Sequence, residues 1–427
     1  MGRWRSSFSA STGTMAKRNT WCFIGGFGAE TVSGSRYQRL HYMLSESTWD
    51  RRNVRRQLIA DANVHFGYAS ALLIDESAFA KKGDLSAGVA RQWNGRLGKI
   101  DNSQVGVFAA MVRDRVAALV EGELYVPEEC FADPQRGREA GIPEDMEFRT
   151  KGEIALSMIH RLRREGLRFA YTVFDAGYGH LPWLLRALEG EGETFLAEVR
   201  SDQTIYLSDP APAVPARQSA RGKAPGRLQA QTPPLTVAAW AAAQPASRGC
   251  RLSVREGEKG EVVADYLKQR VWLWDGVEQR ARCWHLLVRR EIDGAKLKFC
   301  LSNAKPEASL RRLADMQVAR HFVERHSRMP RGLVAWRTIS SGAGRRGHHM
   351  ALVMVALMFL AKERLAHRET ADLLSCNDLV EIMRHKLPRK IETDADLVAS
   401  IEYRHRQRQL AKNFAYKKQA AVLSASG

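Results

Sequence analysis

A mixed α/β sheet flanked by helices is the fold class this sequence predicts, and three observations predict it. Residues 71 to 199 alternate apolar runs of strand length with helix-period segments, in the order strand, strand, strand, helix, strand, helix, strand. A later block, residues 250 to 303, is strand-like and aromatic, which predicts a β-rich insertion. The chain from 304 onward is helical in pattern and contains the apolar run MALVMVALMFLA (350 to 361), twelve residues where a bilayer span needs about 20. That run reads as a buried helix.

In chain order, residues 36 to 66 carry apolar positions at helical spacing among many arginines, predicting one or two basic amphipathic helices. ALLIDES is a strand, RQWNGRLGKIDN (91 to 102) a Gly-rich connection, and QVGVFAAMV (104 to 112) and RVAALVEGELYVP (115 to 127) two more strands. KGEIALSMIHRLRREG has helical period, LRFAYTVFDAGYG is a strand entering a turn, LPWLLRALEG is a helix and ETFLAEVRSD a strand. Seven of the 14 prolines then fall between Pro210 and Pro245, a stretch that cannot hold a regular ladder and reads as an exposed excursion. The expected division is a basic helical region over 1–66 for DNA binding or assembly, a first core segment over 67–203, the excursion and insertion over 204–303, a second core segment over 304–368 and a basic helical tail over 369–427.

Lys and Arg outnumber Asp and Glu by 66 to 47, a net charge of +19 that draws in polyanions and makes nucleic acid the first partner to consider. The six cysteines are scattered, without CxxC or zinc-finger spacing, so neither a disulfide framework nor a structural zinc site is indicated. The start of the chain lacks a secretory apolar stretch, and a soluble, cytoplasmic protein is expected, associated with the nucleoid when acting.

The chemistry is carried by acids. In LLIDESAFAKKG, apolar residues run into Asp75 and Glu76 and then Lys81 and Lys82; in FAYTVFDAGYG the same theme reaches Asp175 before Gly177 and Gly179. Strand ends that open into loops are where ligands gather in α/β sheets, and carboxylates there suit a hard divalent cation. Each aspartate also has a purely structural reading, as a cap or turn residue. Glu324 lies on a helical stripe with Gln317, Arg320 and Arg328, where an intrahelical ion pair is the competing explanation.

The block LLIDESAFAKKGDLSAGVARQWNGRLGKIDNSQVGVFAA resembles the first catalytic block of DDE transposases from bacterial insertion sequences, in the insertion-sequence 701 group, whose nuclease core is like ribonuclease H. FAYTVFDAGYG resembles the second-aspartate block; VREGEKGEVVADYLKQRVW, CWHLLVRRE and KLKFCLSNAK resemble the insertion; ARHFVERHSR and RRGHHMALVMVALMFLAKERL resemble the glutamate helix and its successor. The resemblance covers residues 19 to 366, and the first 18 match nothing in it.

What the resemblance implies is a catalytic and metal-binding set of Asp75, Asp175 and Glu324, holding two Mg2+ or Mn2+ ions and converging within about 8 Å. Lys81, Lys82, Arg91, Lys99, Arg320 and Arg331 are the implied DNA contacts. The implied partners are double-stranded DNA, as terminal inverted repeats and target, and a second copy in a homodimer. Gln317 stands where the superfamily has Tyr, and Arg331 where it has Lys. Glu76 is expected in a capping or supporting role, and Trp272, Trp274 and Trp284 are expected in the core. A transposase-derived DNA-binding protein without catalysis and a metal-independent hydrolase are the rival readings.

Overall fold

The computed structural model describes residues 50–328 and 343–386, apart from breaks at 84–85, 96, 115, 217–225, 258–259, 293–295 and 372–373, together with scattered positions between 394 and 413. The helical positions expected before residue 50, and Arg331, lie outside the described residues.

Helix α1 (Arg51–His65) starts at Asp50, whose carboxylate accepts from the Arg52 N–H at 2.8 Å, and buries Leu58, Ile59 and Ala62 at helical spacing. Strand β1 (Ala71–Ala80) follows. Its Leu72 and Ile74 face one core and Leu73 the other, so the unbroken apolar run reflects burial on both faces. Strands β2 (Val89–Asn94), β3 (Lys99–Arg113) and β4 (Val116–Tyr125) come next. The segment read as a Gly-rich connection is therefore a hairpin: Trp93 pairs with Ile100 and Arg91 with Asn102. Its inward face is polar, with Asn94 buried on Ser103, so the apolar alternation that marks a strand is missing.

Helix α2 (Lys151–Arg164) opens with a reciprocal Thr150/Glu153 capping box and buries Ile154, Ala155, Met158, Ile159 and Leu162. Strand β5 (Tyr171–Phe174), the four-residue helix α3 (Ala176–Gly179), helix α4 (Pro182–Gly190) and strand β6 (Phe195–Val199) complete the alternating unit. The Pro-rich stretch is not wholly exposed, because Val237, Trp240 and Ala241 are buried in the main core. Strands β7 (Cys250–Gly257), β8 (Gly260–Leu273), β9 (Arg282–Glu291) and β10 (Leu297–Ser302) lead to helices α5 (Leu310–Arg328), α6 (Ala343–Ala366) and α7 (Cys376–Lys386).

One mixed sheet runs β2-β3-β1-β5-β6-β10-β9-β8-β7, with β4 paired to β3. Strands β1, β5 and β6 are parallel and their remaining neighbours antiparallel. The late strands thus extend the sheet from β6 outward. Helices α1, α2, α4 and α6 bury their apolar stripes against one face, and α5 covers the other with Leu313, Ala314, Met316 and Ala319. This is the mixed sheet flanked by helices that the sequence predicts. No described helix is long and apolar enough to cross a membrane.

A half-buried ion network ties α1 and α2 to β4. Glu121 accepts from Arg55 at 3.0 Å and from Arg161 at 3.2 Å, and Glu123 accepts from Arg161 at 2.9 Å and from Arg149. Removing one partner of a buried pair costs about 3–5 kcal/mol, and partial exposure of both guanidiniums lowers that. Glu121→Gln is expected to destabilise the fold by about 2 kcal/mol in urea titration, and an unchanged midpoint would show that the network contributes nothing.

Candidate active site

The site begins where β1 loses its parallel neighbour. β1 and β5 pair through Ile74 and Phe174, and β5 and β6 through Phe174 and Ala197. The next residue on each strand is an acid: Asp75, Asp175 and Glu198. Neighbouring strands lie about 4.8 Å apart, so the three Cα positions form a row across the strand ends. Alternation puts all three on the face covered by α5, because Leu73, Val173 and Leu196, two residues earlier, pack in that second core.

The expectation that both strands end at their aspartates holds for β5 alone. β1 continues five residues past Asp75, since β3 goes on supplying antiparallel hydrogen bonds as far as Ala80 and Ser103. What ends at Asp75 is the parallel pairing with β5, and both aspartates are half-buried where the two strands part.

Local backbone donors orient both carboxylates. Asp75 Oδ1 accepts from the Glu76 N–H at 2.7 Å, and Asp175 Oδ1 accepts from the Gly177 N–H at 2.9 Å as the cap of α3. The structural reading of Asp175 as a cap and its candidate role thus coexist in one side chain. Gly179 is required by packing: a Cβ there would lie 1.9 Å from the Glu198 carbonyl oxygen. The close approach of α3 to β6 sets the spacing between Asp175 and Glu198.

Glu76 points to the opposite face, where it forms an ion pair with Lys151 at 2.5 Å. Beside it lies Tyr178, buried against Phe174, whose hydroxyl has no hydrogen-bond partner among the described residues. Burial, with the neighbouring Glu76, Asp175 and Asp75 carboxylates, holds that hydroxyl well above its ordinary pKa, so it remains protonated. Sequence reasoning missed Tyr178 because a Tyr three residues after a cap is indistinguishable from core.

Glu198 was also missed, its surroundings being set by Arg320 of α5 and by Lys298 on β10. Along that helix the Arg312 guanidinium sits 4.9 Å from the Tyr171 ring centroid, near the start of β5, and Arg320 pairs with Glu198 at the strand end. Eight residues span about 12 Å, so α5 runs alongside the strands toward the acid row. Gln317, in the position where Tyr was expected, is buried and donates to Cys300 Sγ at 3.1 Å. Glu324 lies on α5 one turn beyond Arg320, and its side chain is outside the described residues, as is Arg331.

Among the described residues no group of three His, Cys, Asp or Glu side chains is assembled for a metal. Asp75 and Asp175 supply hard oxygen donors in adjacent register, a set that fits Mg2+ or Mn2+ and not a thiophilic ion.

Of the predicted cations, Arg320 stands at the acid row, whereas Lys81, Lys82, Arg91 and Lys99 lie away from it. Lys81 and Lys82 lie six and seven residues beyond Asp75, about 20 Å along the strand direction. Lys81 donates its backbone N–H to Asn102 at 2.9 Å, and Lys82 is exposed. Arg91 and Lys99 are exposed on the β2–β3 hairpin, with Lys99 in a 3.1 Å ion pair with Asp101. Of the tryptophans, Trp284 is buried, stacks edge-on against Phe195 at 5.0 Å and donates to Glu189 at 2.6 Å. Trp272 and Trp274 are half-buried, and Trp274 donates to the Glu278 carbonyl at 2.7 Å.

Comparison with known proteins matches residues 28–261, over half of the chain, to the family described as DDE superfamily endonuclease. Over 183 residues the chain is 34% identical to a protein of Microchaete diplosiphon named "Probable transposase for insertion sequence element IS701". That alignment covers 42% of this chain and 45% of the relative, so the chain spans under half the length of the curated protein it matches. Asp75 and Asp175 fall inside the family match and Glu324 beyond it. With its ribonuclease H-like mixed sheet and its two aspartates in register where the parallel pairing of β1 and β5 ends, the chain belongs to the DDE superfamily endonucleases.

Proposed function

We propose that this protein is a DNA transposase that cuts insertion-sequence ends and joins them to target DNA, using Asp75, Asp175 and Glu324. The observation that carries the reading is the register of Asp75 and Asp175 on one face of adjacent parallel strands, beneath a helix whose last turns continue past those strand ends.

Two Mg2+ or Mn2+ ions, held by the three carboxylates, would supply Lewis-acid activation of a water or DNA 3′-hydroxyl and stabilise the leaving oxygen. The chain's own part is positional. Backbone N–H groups of Glu76 and Gly177 fix the two aspartates, and rigid apolar strands below them keep that geometry when DNA arrives. Arg320, placed at the acid row, offers a planar donor to a phosphate. Lys81, Lys82, Arg91, Lys99 and Arg331 contact the duplex backbone away from the reacting bond. A net charge of +19 draws the duplex in, and a homodimer brings two ends together.

A DNA-binding protein without catalysis is the second reading, motivated by Gln317 buried against Cys300 and by Arg320 paired with Glu198. Incubation of the purified protein with a plasmid carrying the element's own ends separates the two. Nicking that requires Mg2+ or Mn2+ and stops in EDTA is the expected result; salt-sensitive binding with no nicking in either ion would reject the transposase and support its rival.

A further inference from the structure

The tip of the β2–β3 hairpin exposes three large apolar side chains together: Trp93 at 55%, Leu97 at 42% and Ile100 at 57%. Trp93 and Ile100 are direct cross-strand partners and share one face of the hairpin, with Arg91 on the same face and Lys99 at the turn.

The tip is held rigidly. Buried Asn94 donates to Ser103 Oγ at 2.9 Å and receives the Leu97 and Gly98 N–H groups on its carbonyl at 2.9 Å each. Gln92 donates to the Gly88 and Ser103 carbonyls at 3.1 and 3.0 Å. A polar network under an exposed apolar face removes the conformational freedom that binding would otherwise cost.

The orientation relates the tip to the acid row. Ile100 and Phe108, the partner of Asp75, lie eight positions apart on the unbroken strand β3, an even number, so Trp93, Ile100 and Asp75 share one face of the sheet. Eight residues span about 26 Å, the rise of seven or eight base pairs. From this geometry, and resting on the transposase reading above, we infer that the Trp93–Leu97–Ile100 tip is a contact to duplex DNA one short stretch away from the scissile phosphate. Trp93 and Ile100 press on base or sugar surface in a groove, and Arg91 and Lys99 hold the flanking phosphates.

Duplex DNA fits better than a second copy of the chain. Three side chains at a hairpin tip fall far short of the roughly 800 Å² per partner that a stable dimer buries. The exposed cations on either side, Arg91 and Lys99, match a phosphate backbone, which would take Lys99 from its ion pair with Asp101.

The test is binding of a labelled 40-base-pair duplex of arbitrary sequence to the full chain, wild type against Trp93→Ala and Trp93→Phe, with sedimentation and melting run alongside. Burial of a large apolar side chain against the groove predicts a loss of about fivefold to a hundredfold in affinity for Trp93→Ala. Trp93→Phe is expected to restore affinity to within a few fold, with the melting temperature unchanged because Trp93 is exposed. Equal affinities for wild type and Trp93→Ala would overturn the inference while leaving the transposase reading in place. A change of oligomeric state in Trp93→Ala that accounts for the lost affinity would overturn it too, making the tip a contact between copies. Failure of the wild type to bind duplex at low salt would instead reject the transposase reading, and this inference with it.

Discussion

Asp75→Asn and Asp175→Asn are each expected to lower divalent-dependent nicking on the order of a thousandfold or more while leaving the fold intact. Lewis-acid stabilisation at a phosphoryl centre contributes several kcal/mol, and each 1.4 kcal/mol is tenfold in rate. Asparagine keeps the shape and the acceptor oxygen that takes the Glu76 or Gly177 N–H, so the strand ends should stay ordered. It also removes one of two like charges on adjacent strands, so the melting temperature should hold or rise. Duplex binding in EDTA, measured beside the cleavage assay, should be no weaker in either variant. Near-wild-type nicking by Asp75→Asn would remove this carboxylate from the chemistry. A collapse in melting temperature would instead make the residue structural.

Gly179→Ala carries the largest expected effect on stability. The added Cβ would stand 1.9 Å from the Glu198 carbonyl oxygen, and the obstacle is strand backbone, not a side chain that can swing aside. Overpacking costs about 1–3 kcal/mol and more where backbone must move, so a loss of about 3 kcal/mol is expected. Any relaxation must push α3 off β6, moving Asp175, so cleavage should fall with stability. Gly190→Ala is the matched control, with open space around its added methyl group, and should be neutral or slightly stabilising. If both variants melt alike, the close packing of α3 on β6 does not constrain the site.

Much of this arrangement was legible along the chain. The mixed sheet followed from strand-length apolar runs alternating with helix-period segments, and β1, α2 and β5 lie where the pattern predicts. The two aspartates stood out because charged residues directly after runs such as LLI and YTVF contradict burial unless the strand meets solvent or a ligand there. The β2–β3 hairpin was harder to see. Its inward positions are Gln92, Asn94 and Ser103, where Asn94 donates to Ser103 Oγ and Gln92 to backbone carbonyls, and a pattern method that reads hydrophobicity cannot register polar pairing. Trp240 in the Pro-rich stretch was hidden for the converse reason, buried with Val237 and Ala241 in a segment whose composition signals exposure. Glu198 and Tyr178 gave no signal at all, because an acid near the end of a strand and an aromatic beside a glycine are ordinary in sequence and acquire meaning only from neighbours distant in the chain.

The sequence by itself determined the fold class, the excess positive charge and the two acids that interrupt apolar strands, since each is a property of local residue order. Only the tertiary structure decided that Asp75 and Asp175 stand in register with Glu198, that Glu76 turns away toward Lys151, and that Arg320 reaches the same row. Register depends on hydrogen-bond pairing between segments about 100 residues apart, and a one-residue slip would send each acid to the opposite face. No local pattern encodes that choice; it is made by packing the two cores on either side of the sheet at once.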